Sequence, residues 1–392
     1  MKNGWQTKRL GEVFEIIKGR KPVLKAIASN GDLPYLVAKV MRGSAEAEYA
    51  SIKDRNSILV EESETIIICD GSNSGEVFTG FRGVLSSTMG KISKKAEIDD
   101  NFLRAFLAST FDVFNGAKTG SAIPHLDKEA MYQLEFPHPP LPEQRRIAGL
   151  LDEAFAGIAT AKANTEKNLQ NARALFESYL QSVFTQRGKG WVEKPFSELC
   201  DIKHGYAFEG AYFSNEGKYV LLTPGNFYES GGYRDRGEKQ KYYTGEIPRD
   251  YVLSEGDLLV AMTEQAAGLL GSPILVPESD RFLHNQRLGL VTKKSGVSWT
   301  NEFFFHVFNT QHVRKTIHAS ASGVKVRHTS PTKIGEVIVA FPTNISEQQR
   351  IVSNLASLSE ATQRLASLYE RKLAALAALK RSLLHQAFNG NL

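Results

Sequence analysis

Pro142-Glu143-Gln144-Arg145-Arg146-Ile147 returns as Ser346-Glu347-Gln348-Gln349-Arg350-Ile351, 204 residues further along the chain. The same spacing carries Phe184 onto Phe388, so the segments that follow the two motifs align without a gap. In the first of them Ile147, Leu150, Leu151, Phe155 and Ile158, and then Leu169, Ala172, Leu175, Phe176, Tyr179, Leu180 and Val183, recur by threes and fours. That is the period of an amphipathic helix. Pro142 suits a helix's first turn and Ser346 can cap its counterpart, while no Pro or Gly interrupts residues 159 to 186 or 345 to 388. Roughly 45 residues at about 1.5 Å each make a rod on the order of 65 Å, longer than a small domain needs for itself. Two such rods, each with an apolar stripe, most simply pack on each other.

The repetition extends outward from this pair. Trp5, Leu10, Glu12, Val13, Glu15, Ile16 and Gly19 recur as Trp191, Phe196, Glu198, Leu199, Asp201, Ile202 and Gly205 at a constant spacing of 186. Val60 to Ile67 matches Leu253 to Val260 at 193, and Gly120 matches Gly323 at 203, a drift that places small insertions in the second copy. The chain is therefore a tandem repeat. Residues 1 to 140 and 191 to 344 are its globular parts, 141 to 186 and 345 to 392 its two long helices, and 187 to 190 a linker. Thr65 to Cys69 and Asp257 to Ala261 read as strands, and Asn101 to Phe111 and Glu302 to His312 as single helices. The fold class expected is α+β: two globular domains in tandem, separated by two long antiparallel helices forming a coiled-coil-like spacer.

Composition narrows the function. With 42% hydrophobic and 23% charged residues the chain is that of a folded globular protein, too long at 392 residues for one ordinary domain. Cys69 and Cys200 lie far apart and near no His cluster, which argues against a disulfide framework or a cysteine zinc site. No apolar run is long enough for a membrane span and the N-terminus lacks a signal-peptide core, so a cytoplasmic protein is expected. The net charge of +5 comes from the linker and the last helix. Lys+Arg and Asp+Glu balance at 18 and 18 over residues 1 to 140 and at 17 and 17 over 191 to 344. If the globular parts bind nucleic acid they do so through one-sided patches.

Candidate contacts follow from charge and aromatic patterning. In the first copy Lys18, Arg20 and Lys21 cluster after the repeat motif, Arg42 opens a divergent segment reaching Tyr49, and Ser72 and Asn73 follow a strand. In the second, Arg234, Arg236, Lys239 and Lys241 alternate with Tyr233, Tyr242 and Tyr243, a pattern equally open to a solvated loop. His204, Tyr206 and Asn226 complete that set. Gly120, Ser121 and His125 belong to a Gly-centred loop matched by Gly323, Lys325, Arg327 and His328. Such a loop can bring backbone N–H groups to a phosphate, or can be a plain turn. No nucleotide-binding glycine motif is present. His138-Pro139-Pro140 resembles the Asn-Pro-Pro-aromatic element of adenine methyltransferases only superficially, lacking the residue that holds the target amino group. Asp70 has no acid at its aligned position, Thr263, so a duplicated catalytic site is not expected.

Trp5 with Leu10-Gly11-Glu12-Val13 and its copy, Glu255-Gly256-Asp257-Leu258-Leu259-Val260, Gly120 to Leu126, and above all Pro140-Leu141-Pro142-Glu143-Gln144-Arg145-Arg146-Ile147 opening a long helix carry a resemblance over the whole chain. They resemble the specificity subunit of type I restriction-modification systems. The resemblance implies a non-catalytic reader of double-stranded DNA whose two target-recognition domains each read half of an asymmetric, interrupted site. It implies a helical ruler, on which two methyltransferase subunits dock along 141–186 and 345–392, and further restriction subunits. S-adenosylmethionine would belong to the methyltransferases and ATP and Mg to the restriction subunits, with no cofactor or metal in this chain. Three other readings are a specificity subunit of a fused restriction-methylation enzyme, a DNA methyltransferase or nuclease acting alone, and a coiled-coil adaptor that binds no DNA.

Overall fold

In the computed structural model, which describes residues 5–116, 124–265 and 268–392, Gln144 and Gln348 are both fully buried. Gln144 lies near the start of the helix Leu141–Gln186. Its Oε1 accepts the Asp99 N–H at 2.9 Å and its Nε2 donates to the Pro139 carbonyl at 2.8 Å. Gln348, near the start of the helix Ile345–Phe388, accepts from the Thr300 N–H at 3.0 Å and donates to Ser298 and Pro342 carbonyls, each at 2.9 Å. Asp99 and Thr300 each cap a helix of the preceding globular part. The repeated glutamine is thus a polar joint fastening each long helix to its domain, because a buried amide must satisfy both its donor and its acceptor. Glu143–Arg146 and Glu347–Arg350 pair one turn apart beside it, at 2.7 Å each.

The chain divides into two units, one of Met1–Lys167 with Glu370–Leu392 and the other of Asn168–Tyr369. Each unit takes the beginning of one long helix and the end of the other. In the first, Ile147, Ala148 and Leu151 share a core with Leu384, Ala387 and Phe388. The Phe388 ring lies 5.2 Å from Phe102 and 5.1 Å from Phe106. In the second, Ile351 and Leu355 share a core with Leu180, and Phe184 lies 5.7 Å from Trp191 and 5.5 Å from Phe303. The start of each helix meets the end of the other, so the pair is antiparallel.

Both units carry the same four-stranded main sheet. In the first, Phe14–Lys18, Met89–Lys94, Ile66–Ile68 and Val77–Phe78 form an antiparallel sheet in that spatial order. In the second the order is Cys200–His204, Leu288–Lys293, Leu258–Ala261 and Pro273–Leu275. A second sheet in each unit contains one parallel pair, Asp32–Leu36 with Gly83–Leu85 and Tyr219–Leu221 with Phe282–Leu283. The repeat's Gly19 and Gly205 sit where a Cβ would come within 2.1 Å of the Ser86 carbonyl and 2.2 Å of the Asn285 carbonyl. Only glycine lets the backbone pass there.

The helices expected to run through Phe111 and His312 break instead. They span Asp100–Ser109 and Asn301–Phe308, and Phe111–Gly116 and Gln311–Ser320 begin anew. Thr310 forces the second break: its hydroxyl donates to the Val307 carbonyl at 2.7 Å and caps the new helix at the Val313 N–H. Cys69 and Cys200 are buried and free, and burial pushes the Cys200 thiol up to about 12. Among the described residues no helix is long and apolar enough to cross a membrane.

Candidate nucleic-acid interface

In the first unit, Asp70 follows the strand Ile66–Ile68, at the sheet end where Lys18 closes its own strand. Lys18 Nζ reaches Asp70 at 2.8 Å, and His125 Nδ1 reaches the other carboxylate oxygen at 2.7 Å. Burial pushes the Asp70 carboxyl up, but the bonds from Lys18 and His125 outweigh it and leave it below its ordinary value. A backbone bond from Gly71 N–H to the Pro124 carbonyl at 2.8 Å ties the same two segments. Glu76 organises the neighbouring turn: it pairs with Arg42, whose guanidinium lies 5.8 Å from the Phe78 ring centre, and accepts from Asn73 Nδ2 at 3.2 Å. Ser72 Oγ in turn donates to Asn73 at 3.2 Å.

Five of the expected residues, Lys18, Arg42, Ser72, Asn73 and His125, are thus gathered by two carboxylates at one end of the sheet. Arg20 and Lys21 are exposed beyond it and form no ion pair among the described residues. Gly120 and Ser121 lie outside the described residues.

In the second unit His204 ends its strand, exposed, and the Tyr206 ring meets Phe208 at 5.1 Å and Tyr251 at 5.3 Å. Asn226 is buried. It donates to the Arg234 carbonyl at 3.3 Å and to Gln240 at 3.0 Å, and accepts from the Thr223 N–H at 3.0 Å. It shapes the loop that presents Arg234, whose guanidinium lies 5.9 Å from the Tyr228 ring centre. The Arg236 guanidinium packs on Gly225, while Lys239 and Lys241 are exposed, Lys241 over Phe213 at 5.5 Å. The loop is therefore a frame of buried amides carrying exposed cations and Tyr228; of the alternating tyrosines expected to be contacts, Tyr243 is buried and Tyr233 and Tyr242 are half-buried, because their rings pack into the cores beneath the loop.

The Gly-centred loop of this unit is a hairpin closed by Ser322 and His328. Lys325 is exposed at it, and His328 Nδ1 lies 3.3 Å from the Thr263 hydroxyl. Arg327 turns inward, its guanidinium on Glu264, His318 Nδ1 and the His318 carbonyl. Burial, with Arg314 and Arg327 nearby, holds the His318 ring below its ordinary value despite Glu264. Sequence reasoning misses Glu264, His318 and Arg314. The one signal it offers is an acid a residue beyond Thr263, the position aligned with Asp70. Among the described residues no cluster of His, Cys, Asp and Glu could hold a metal ion.

A family model described as the type I restriction modification DNA specificity domain matches residues 2–171 and again 188–370. The chain is 26% identical to the type I restriction enzyme MjaVIII specificity subunit of Methanocaldococcus jannaschii over 369 residues, 90% of this chain and 86% of the relative. It is 25% identical to the EcoBI specificity subunit of Escherichia coli over 202 residues, 51% of this chain and 36% of that one. Among solved structures, a chain from work on complex assembly and conformational transition of the type I R-M system superposes with a TM-score of 0.74 at 17% identity, covering 100% of this chain and 99% of the other. The HsdS subunit from Thermoanaerobacter tengcongensis gives 0.61 at 16% identity, covering 100% and 98%. At these identities the structures speak for the fold.

Proposed function

We propose, from the premise that this chain belongs to the type I restriction-modification DNA specificity family, that it reads a bipartite asymmetric DNA target and lends that reading to partner enzymes. The chain is a DNA-recognition subunit of a type I system. Each unit takes one half-site, and the paired long helices set the gap and offer the docking surface for two methyltransferase subunits. The methyltransferases bring S-adenosylmethionine. Restriction subunits bring ATP and Mg, and this chain supplies no catalytic group. The observation that carries this reading is duplication with divergence: the two units share the strand order of their main sheet and keep a histidine at His125 and His328, yet Lys18 and Asp70 in the first stand where His204 and Thr263 stand in the second. One scaffold with two sets of surface groups fits two different half-sites.

Within each unit, base readout falls to the divergent segments, Arg42 to Tyr49 and Tyr228 to Tyr243, and the Gly-centred loops hold phosphates through groups such as Lys325. The test is to assemble the chain with its methyltransferases and map the modified positions on a random duplex library. Replacing Arg234 or Arg236 should relax specificity in one half-site only, whereas replacing Lys325 should weaken all sequences alike and flatten the salt dependence. Uniform loss from both kinds of substitution would overturn this division.

A further inference from the structure

Glu264 is 2% exposed, and its carboxylate is engaged by N–H groups and a histidine ring. Its Oε2 accepts the backbone N–H groups of Gly268, Leu269 and Leu270 at 2.9, 2.9 and 3.1 Å. Its Oε1 lies 3.5 Å from both Arg327 Nη1 and His318 Nδ1. A carboxylate withdrawn from water is tolerated when its lone pairs are this fully engaged. These partners come from three separate segments: the turn Gly268 to Leu270, the hairpin Ser322 to His328, and the helix Gln311–Ser320. Arg314 of that helix donates to the Gly268 carbonyl, fastening the turn a second time.

Each segment held by Glu264 leads to the surface. The turn supports the loop beginning at Tyr228: Ser272 Oγ donates to the Tyr228 carbonyl at 2.6 Å, and the Gly232 N–H donates to Pro273 at 2.9 Å. That loop carries Arg234. The hairpin is closed by reciprocal bonds between Ser322 and His328 at 3.0 and 2.8 Å. Gly323, at φ +96°, turns where a Cβ would lie 2.1 Å from the Val326 carbonyl. The tip displays Val324, 97% exposed, and Lys325.

We propose that Glu264 is a positioning residue for the second half-site, holding the Tyr228 loop and the Ser322–His328 hairpin as one preset surface before DNA arrives. The inference rests on the DNA-reading function proposed for this chain. In the first unit a different acid, Asp70, ties His125 and Lys18. Loss of Glu264 should therefore be felt in one half-site alone.

The decisive variant is Glu264→Gln in the full complex with methyltransferases. A glutamine keeps one acceptor oxygen, so its NH2 must face either the three backbone N–H groups or Arg327, and either way the Tyr228 loop, which reads bases, loses its fixed register with the hairpin that grips phosphate. Methylation rates are measured on the wild-type target and on duplexes carrying one changed base pair. Each wrong pair should cost the wild type roughly tenfold to a hundredfold. In Glu264→Gln the costs in the second half-site should shrink by about tenfold, with those in the first unchanged. Glu264→Asp, which keeps both oxygens on a shorter stem, should recover part of the difference.

A merely structural role would lower the active fraction and scale every rate by one factor, leaving the ratios intact; that outcome overturns the inference. If Glu264→Gln fails to assemble, Arg327→Gln uncouples the hairpin from the Tyr228 loop while sparing the three backbone bonds and Lys325 itself, so the base-reading groups lose their register with the phosphate grip and the same one-sided shrinkage is expected. A uniform loss from Arg327→Gln on all sequences would assign Arg327 to phosphate and refute the proposal. A wild-type complex with no two-part preference would instead sink the functional reading, and this inference with it.

Discussion

Replacing Gln144 with leucine isolates the joint between the first globular part and its helix. The substitution keeps the bulk of a fully buried side chain but strands the Asp99 N–H and the Pro139 carbonyl, which it had bonded at 2.9 and 2.8 Å. An unsatisfied buried polar group costs about 1–3 kcal/mol, so with the leucine's own apolar gain set against two such groups the expected loss is about 2–4 kcal/mol. Hydrogen exchange of the slowest amides measures this unit by unit. Peptides from the strand Met89–Lys94 and the helix Asp100–Ser109 should exchange roughly thirtyfold to a thousandfold faster, and those from the strand Leu258–Ala261 should be unchanged. Gln348→Leu should give the mirror result, since it strands groups on Thr300, Ser298 and Pro342. A loss below about 1 kcal/mol, or equal effects in both units, would refute the idea that the repeated glutamine is a local polar joint.

A chain of residues 1 to 186 loses Leu384, Ala387 and Phe388 from the first unit's core, yet it retains Leu180, Val183 and Phe184, their counterparts at the 204-residue spacing. It should therefore dimerise and, with methyltransferases, read an inverted repeat of the first half-site; a stable monomer by mass in solution would count against equivalent helix ends. His284 is buried, and burial lowers its ring to about 4, with a smaller push from Lys203 and His204. The unfolded chain takes up this proton below about pH 6.5 and the folded one only below about 4, so the second unit should lose on the order of 3 kcal/mol as pH falls through that window. Thermal melts of His284→Asn, which cannot titrate, should show a shallower acid slope, and an identical slope would disprove the assignment. The rigorously purified chain should neither methylate nor cut DNA, and methyl transfer surviving removal of all partners would overturn the proposal that it supplies no catalytic group.

The amino-acid sequence by itself determined the duplication, the two long helices and the family. A helix period is written in neighbouring residues, and a repeat is written twice, so Pro142 to Ile147 and Ser346 to Ile351 can be matched without knowing what they touch. Local pattern failed where a single side chain decided the outcome, as when Thr310 ended one helix and capped the next. Tertiary structure alone decided which group each repeated residue serves. Gln144 reads as one more polar residue at a helix start until Asp99 and Pro139 close over it. Phe388 ends the chain's last helix but belongs to the core of the first unit. Glu264 has the composition of a surface acid, and only the folding of the Gly268 turn, His318 and Arg327 around it makes it a buried anchor. Burial and partnership of polar groups depend on segments dozens to hundreds of residues apart, and no local pattern carries that information.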